Sequence, residues 1–176
     1  MDTSTITIET KNLCLKAITL EYQEDIFKEF NSEITEHMHP RPADKIEETI
    51  EFIEKSMKEN KEGSNLQLVV LDKNNNNFLG NAGLHHIDTK TPELGIWIKK
   101  SAHGNSYGKE AMVALKEWAD KNLNYKYILY PVVKENYPSK RIPEFLGGKV
   151  EKEYEKINMS GKKQHILEYK IYANKN

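Results

Sequence analysis

At 176 residues, the chain is long enough for one domain with a real core, and 38% hydrophobic with 30% charged residues is an ordinary soluble composition. A net charge of −1, with acids and bases scattered throughout, argues against nucleic acid as the main ligand. No apolar run approaches the roughly 20 residues of a membrane span, the opening "MDTSTITIET" lacks a signal-peptide apolar block, and a lone cysteine allows no internal disulfide. A cytoplasmic protein without membrane or nucleic-acid partners is therefore expected.

"TITIE" and "LCLKAI" alternate apolar and polar residues, so Thr5 to Ile18 reads as extended, with a turn near Lys11 and Asn12. Cys14 sits in that pattern as core filler. Thr19 is expected to cap a helix through "LEYQEDIFKEF", where Leu20, Gln23, Ile26, Phe27 and Phe30 have helical spacing. "NSEITEHMHPRP" has two prolines and no period, and reads as a loop. It holds His37 and His39, but no third ligand is patterned nearby and no metal is expected. A second helix is predicted from Ala43, with Ile46, Ile50, Ile53 and Met57 on one face.

"NLQLVVLD" and "NFLGNAGLHHID" read as two strands joined through Asn74 to Asn77, and "TPELGIWIKK" as a third. Adjacent in a strand, His85 and His86 are expected to face opposite sides. A helix follows from Gly108 to about Asn122, burying Met112, Leu115, Trp118 and Ala119. "YKYILYPVV" is a further strand, and Asn136 to Leu146 a short helix carrying Pro138 and Pro143, stopped by Gly147-Gly148. The C-terminal segment reads as two strands around Ser160-Gly161, whose edges offer a route to a homodimer. This order predicts an α/β fold of α+β type: a central mixed sheet with helices on both faces. No composition break divides it, so residues 1–176 are expected to form a single domain.

The turn His103-Gly104-Asn105-Ser106-Tyr107-Gly108 lies between a strand and an amphipathic helix. Converging backbone N–H groups at a helix N-terminus suit a pyrophosphate, and glycine lets the backbone approach it closely. The dinucleotide fingerprint fails because the glycines stand four apart. The P-loop pattern also fails: Gly104 to Gly108 is one residue short, and Glu110 follows Lys109 where a hydroxyl is needed. Without its flanks, the turn reads first as a surface loop capped by Asn105 or Ser106.

"LGIWIKKSAHGNSYGKEAMVALKEWA" resembles the acyl-CoA-binding motif of the GNAT superfamily of N-acetyltransferases: a strand, then [Q/R]-x-x-G-x-[G/A], then a helix. His103 stands at the Gln/Arg position, Ser106 at the inner Gly and Gly108 at the final Gly/Ala; Gly104 matches an extra Gly of many members. "NLCLKAIT", "FLGNAGLHHID…PELGIWI" and "ENYPSKRIPEFLGG" resemble, in order, segments of the branch that acetylates ribosomal-protein N-termini. The resemblance implies a GNAT-like acyl-CoA N-acyltransferase fold with a mostly antiparallel sheet. It also implies acetyl-CoA as donor and a primary amine, on a small molecule or a protein N-terminus, as acceptor.

By that resemblance, Ile96, Trp97 and Ile98 offer backbone groups to the pantetheine arm, and His103, Gly104, Asn105, Ser106, Tyr107, Gly108 and Lys109 hold the pyrophosphate. Asn136 contacts the cofactor, or else is a turn residue. Ser139 meets the cofactor sulfur, and as a plain structural residue it is a helix N-cap. Pro143 occupies the position where many members carry a tyrosine acid, and Tyr137 is a weak substitute. Glu93 is the leading base, or else a solvated strand-end carboxylate. The acceptor pocket is expected between the loop Ile34 to Pro42 and the helix from Ala43 to Asn60, with Glu33, Glu36 and Glu47 available to a cationic amine. The vacant tyrosine position keeps a second reading open, a non-catalytic acyl-CoA-binding domain of the same fold.

Overall fold

The computed structural model describes residues 1–173. Eight strands form one sheet in the order β1-β2-β3-β4-β5-β6-β8-β7: β1 (Thr7–Glu9), β2 (Leu13–Ala17), β3 (Leu66–Asp72), β4 (Phe78–His85), β5 (Glu93–Ile98), β6 (Tyr127–Val133), β7 (Lys149–Ile157) and β8 (Lys163–Tyr172). Every neighbouring pair is antiparallel except β5 with β6. The mixed, mostly antiparallel sheet read from the sequence is therefore present.

The alternation along each strand sorts side chains between two cores. Leu13, Leu15, Leu66, Leu68 and Val70 pack on one face with Met112 and Leu115. Cys14, Val69, Leu71 and Phe78 pack on the other with Ile26 and Ile53. Helices α1 (Gln23–Glu29) and α3 (Ile46–Glu62) cover the second face; α4 (Tyr107–Asn122) and α5 (Tyr137–Phe145) cover the first. Cys14 is buried core, as its strand pattern predicts.

Four local expectations change. Thr19 leads into a 3₁₀ turn (Leu20–Tyr22) but makes no side-chain cap bond. The expected loop holds a one-turn helix, α2 (Ser32–Thr35), because Asn31 Oδ1 accepts the N–H groups of Glu33 and Ile34. Helix α3 starts at Ile46 rather than Ala43: Glu48 reaches back to accept the N–H groups of Asp44 and Lys45. Its buried stripe is Thr49, Ile53, Ser56 and Asn60, while Met57 is exposed. Asn60 is tolerated there because its amide donates to Gln67 O and accepts Gln67 N–H.

β7 forms one edge of the sheet, and its sequence, KVEKEYEKI, is largely exposed and charged. Such an edge resists indiscriminate strand addition.

Candidate functional site

Strands β5 and β6 pair at a single position, Glu93 with Leu129, and then part. Lys99 N–H donates to Leu79 O on β4 (2.7 Å). With the strand period of two, Gly95 and Trp97 also turn their backbone groups to β4, and Ile96 and Ile98 turn theirs to the gap. Gly80 permits the close approach on the β4 side: a Cβ there would stand 2.1 Å from Trp97 O. Of the three residues expected to offer backbone groups to a ligand, Ile96 and Ile98 thus face the opening. Trp97 contributes its ring to the other face, against Phe30 and Phe78.

The turn expected to cradle pyrophosphate lies at the mouth of this gap. His103 N–H is used by Lys100 O and Glu110 N–H by Ser106 O. Between them, the N–H groups of Gly104, Asn105, Ser106, Tyr107, Gly108 and Lys109 find no acceptor among the described residues. Neither Asn105 nor Ser106 caps the helix. The Asn105 amide donates back to Ala102 O and His103 O, and Ser106 makes no cap bond. The run opens α4, where the helix dipole favours an anion.

Ser106 stands at φ 60° and Gly104 at φ 85°. The left-handed conformation explains why a glycine suits the Ser106 position. A Cβ at Gly108 would meet Ile142, Ile98 and Ile96 at 3.7–3.9 Å, ordinary van der Waals contact, so the turn packs against the strand side chains beside the gap. His103 folds back, its Nε2 2.6 Å from Ile98 O, and so caps the strand end instead of reaching over the turn. Lys109 lies over the Phe145 ring of α5. Glu110 anchors the helix start by accepting from Thr10 Oγ1, Asn12 N–H and Asn12 Nδ2. Burial alone would raise its pKa, but these bonds hold it below the usual carboxylate value.

At the far side of the gap, Asn136 is the N-cap of α5 through Ser139 N–H, so Ser139 itself is not the cap. Ser139 Oγ instead lies 2.8 Å from Tyr130 Oη. Burial pushes the Tyr130 phenol up to about 12, only partly offset by the Ser139 bond. Tyr130 has no signal in the sequence beyond its place in a strand. Tyr137 is exposed at the start of α5.

On the opposite face, a cavity of about 390 Å³ opens beside Ile96 and Trp97. The loop expected to border it supplies Met38, Pro40 and Pro42, and α3 supplies Thr49 and Phe52. Met159, from the β7–β8 turn, closes another side; its N–H donates to His39 O, and Gln164 donates to the carbonyls of Glu36 and Met38. Glu33, Glu36 and Glu47 are not in this wall. Glu33 pairs with Lys100, and Glu33 and Glu36 line a separate surface hollow.

His85 reaches this cavity, with Nε2 close over Gly83 and Gly95. Burial lowers its pKa, and the neighbouring His86 lowers it further. His86 is not its strand neighbour on the other face. It leaves the strand at φ 57° and is exposed, with Asn65 Oδ1 accepting its N–H. Glu93 lies outside the cavity wall, where β5 and β6 part. Burial raises its pKa, as does Glu168, against the lowering pull of His86 and Lys156.

The model of the acetyltransferase (GNAT) domain matches residues 12–149. No curated protein matches the sequence. Among solved structures, a ribosomal L7/L12 alpha-N-protein acetyltransferase in complex with coenzyme A aligns at a TM-score of 0.86 and 14% identity, over 96% of this chain and 98% of that one. Microcin C7 self immunity acetyltransferase, in complex with acetyl-CoA and AMP, aligns at 0.80 and 22%, over 93% of each chain. A GNAT-family acetyltransferase from Bacillus anthracis aligns at 0.79 and 20%, over 95% of this chain and 98% of that one.

Proposed function

The chain belongs to the GNAT acetyltransferase family, and on that premise we propose that it binds acetyl-CoA along the β5–β6 gap and transfers the acetyl group directly to a primary amine. The observation that carries this reading is the run of six N–H groups, Gly104 to Lys109, without acceptors at the start of α4 and beside the parted strands. Neighbours of similar fold carry coenzyme A or acetyl-CoA, which supports the choice of ligand.

In this reading the N–H groups from Gly104 to Lys109 hold the pyrophosphate, and the backbone of Ile96 and Ile98 holds the pantetheine arm. An N–H from this strand polarises the thioester carbonyl where negative charge develops. The amine enters from the cavity on the opposite face. Its nitrogen bonds to the acetyl carbon, the C–S bond breaks, and the amine gives up a proton. Alkyl amines are mostly charged at neutral pH, so a base is needed. Glu93, with its raised pKa, fills that role at the parting of the strands. Ser139, aligned by Tyr130 and by Asn136 at the helix cap, donates a hydrogen bond to the sulfur as it leaves as thiolate.

The acceptor class is a small-molecule amine or a protein N-terminus. An assay of free thiol release from acetyl-CoA against a panel of such amines tests the reading. Amine-dependent thiol release is expected; none with any amine would overturn it.

A further inference from the structure

Asn81, 2% exposed on β4, lines the 390 Å³ cavity, and both of its amide atoms, Nδ2 and Oδ1, lack a hydrogen-bond partner among the described residues. A buried carboxamide with neither donor nor acceptor satisfied costs stability, so its retention calls for a partner. It sits opposite Trp97 in the β4–β5 register, beside the strand segment whose backbone opens to the gap. It is thus one of the residues bounding the cavity assigned above to the acceptor.

The remaining wall constrains that group. Ile26, Phe30, Phe52, Trp97, Met38 and Met159 make it largely apolar. Its two ionic side chains, Arg41 and Glu48, are paired with each other at 2.7 Å. The other Glu48 oxygen is taken by the N–H groups of Asp44 and Lys45. Among the described residues, no carboxylate in the wall is left for a second ammonium, so a polycation has nothing to neutralise it there.

Resting on the acetyltransferase reading above, we propose that Asn81 is a specificity residue for the acceptor, and that the acceptor is an amine on an apolar skeleton carrying a primary carboxamide or an equivalent edge. Such an edge sets one donor beside one acceptor and matches both free atoms of Asn81. A site built to pair a polar group discriminates strongly against the analogue that lacks it.

The test compares L-phenylalaninamide with phenethylamine, which lacks the carboxamide, and with spermidine. The ratio of kcat/KM for the first two amines is measured in the wild type and in Asn81→Leu, so that the intrinsic basicity of each amine cancels. Asn81→Leu removes two unsatisfied buried atoms and is expected to fold; Asn81→Ala is the second variant. The ratio should fall at least tenfold in the variants, and spermidine should be the poorest substrate of the wild type. In the wild type alone, N-acetylphenylalaninamide should inhibit more strongly than N-acetylphenethylamine. An unchanged ratio overturns the inference while leaving acetyl transfer intact. So does turnover of other amines but of neither phenyl compound, or a preference for spermidine. Absence of transfer to every amine fails the underlying reading instead, and the inference with it.

Discussion

Tyr130 Oη and Ser139 Oγ stand 2.8 Å apart, joining a buried strand residue to the first turn of α5 beside the β5–β6 gap. With its pKa pushed up to about 12 by burial, Tyr130 stays protonated through any working pH and can donate to Ser139. Ser139 then keeps its own proton directed elsewhere. Ser139→Ala is expected to lower kcat about 100-fold, the scale of a lost hydrogen bond to charge developing in the transition state, with little change in KM for acetyl-CoA. Tyr130→Phe should cost about tenfold, as one hydrogen bond is removed. Steady-state kinetics on the two variants checks both.

Glu93 carries a raised pKa because burial disfavours its charge. If it is the base, the acidic limb of kcat/KM lies above the ordinary carboxylate range, and Glu93→Gln loses turnover along with that limb. The stability sign is opposite. A carboxyl that holds its proton more tightly when folded favours folding fully below its unfolded pKa, and that contribution is lost as pH rises through the raised value. Glu93→Gln should therefore unfold at a higher temperature than the wild type at pH 7 and lose this part of the pH dependence. Melting curves from pH 4 to 8 measure it.

Ser106 at φ 60° occupies backbone space that favours glycine. Ser106→Gly should stabilise the fold by up to about 1 kcal/mol while keeping the N–H groups of the turn in place. Ser106→Val should destabilise by about 1–2 kcal/mol and weaken coenzyme A binding, because a β-branched residue resists this conformation. Denaturant unfolding gives the first quantity and calorimetric titration the second.

Lys116 is 4% exposed on α4, and both oxygens of Asp120 hold its ammonium at 2.7–2.8 Å; Tyr125 also donates to Asp120. Asp120→Ala leaves a buried charge unpaired and should cost about 3–5 kcal/mol. Asp120→Ala combined with Lys116→Met should recover much of that loss in the same unfolding measurement.

Much of the fold was legible because alternation along the strands reports which face is buried: Leu13, Leu15 and Ala17 go to one core and Cys14 to the other. The turn before α4 was legible because Gly104, Gly108 and the amphipathic helix are contiguous in the chain. α3 was misread where polar residues are buried by bonds to distant backbone, as at Asn60 with Gln67. The cavity residues had no local signal. Asn81 becomes an unsatisfied amide, and His85 a cavity residue, only through the packing of α1, α3 and the loop that Gln164 and Asn158 hold down from the far end of the chain. The pairing of Tyr130 with Ser139 likewise depends on how α5 folds back over β6, which spacing alone does not specify.

The central claim, that the start of α4 and the parted strands form the coenzyme A site, is tested most directly by amide ¹H–¹⁵N NMR during titration with coenzyme A. Saturable 1:1 shifts are expected, largest at the amides of Gly104, Asn105, Ser106, Tyr107, Gly108 and Lys109, with Ile96 and Ile98 following. Shifts centred elsewhere, or none at millimolar coenzyme A, would contradict it.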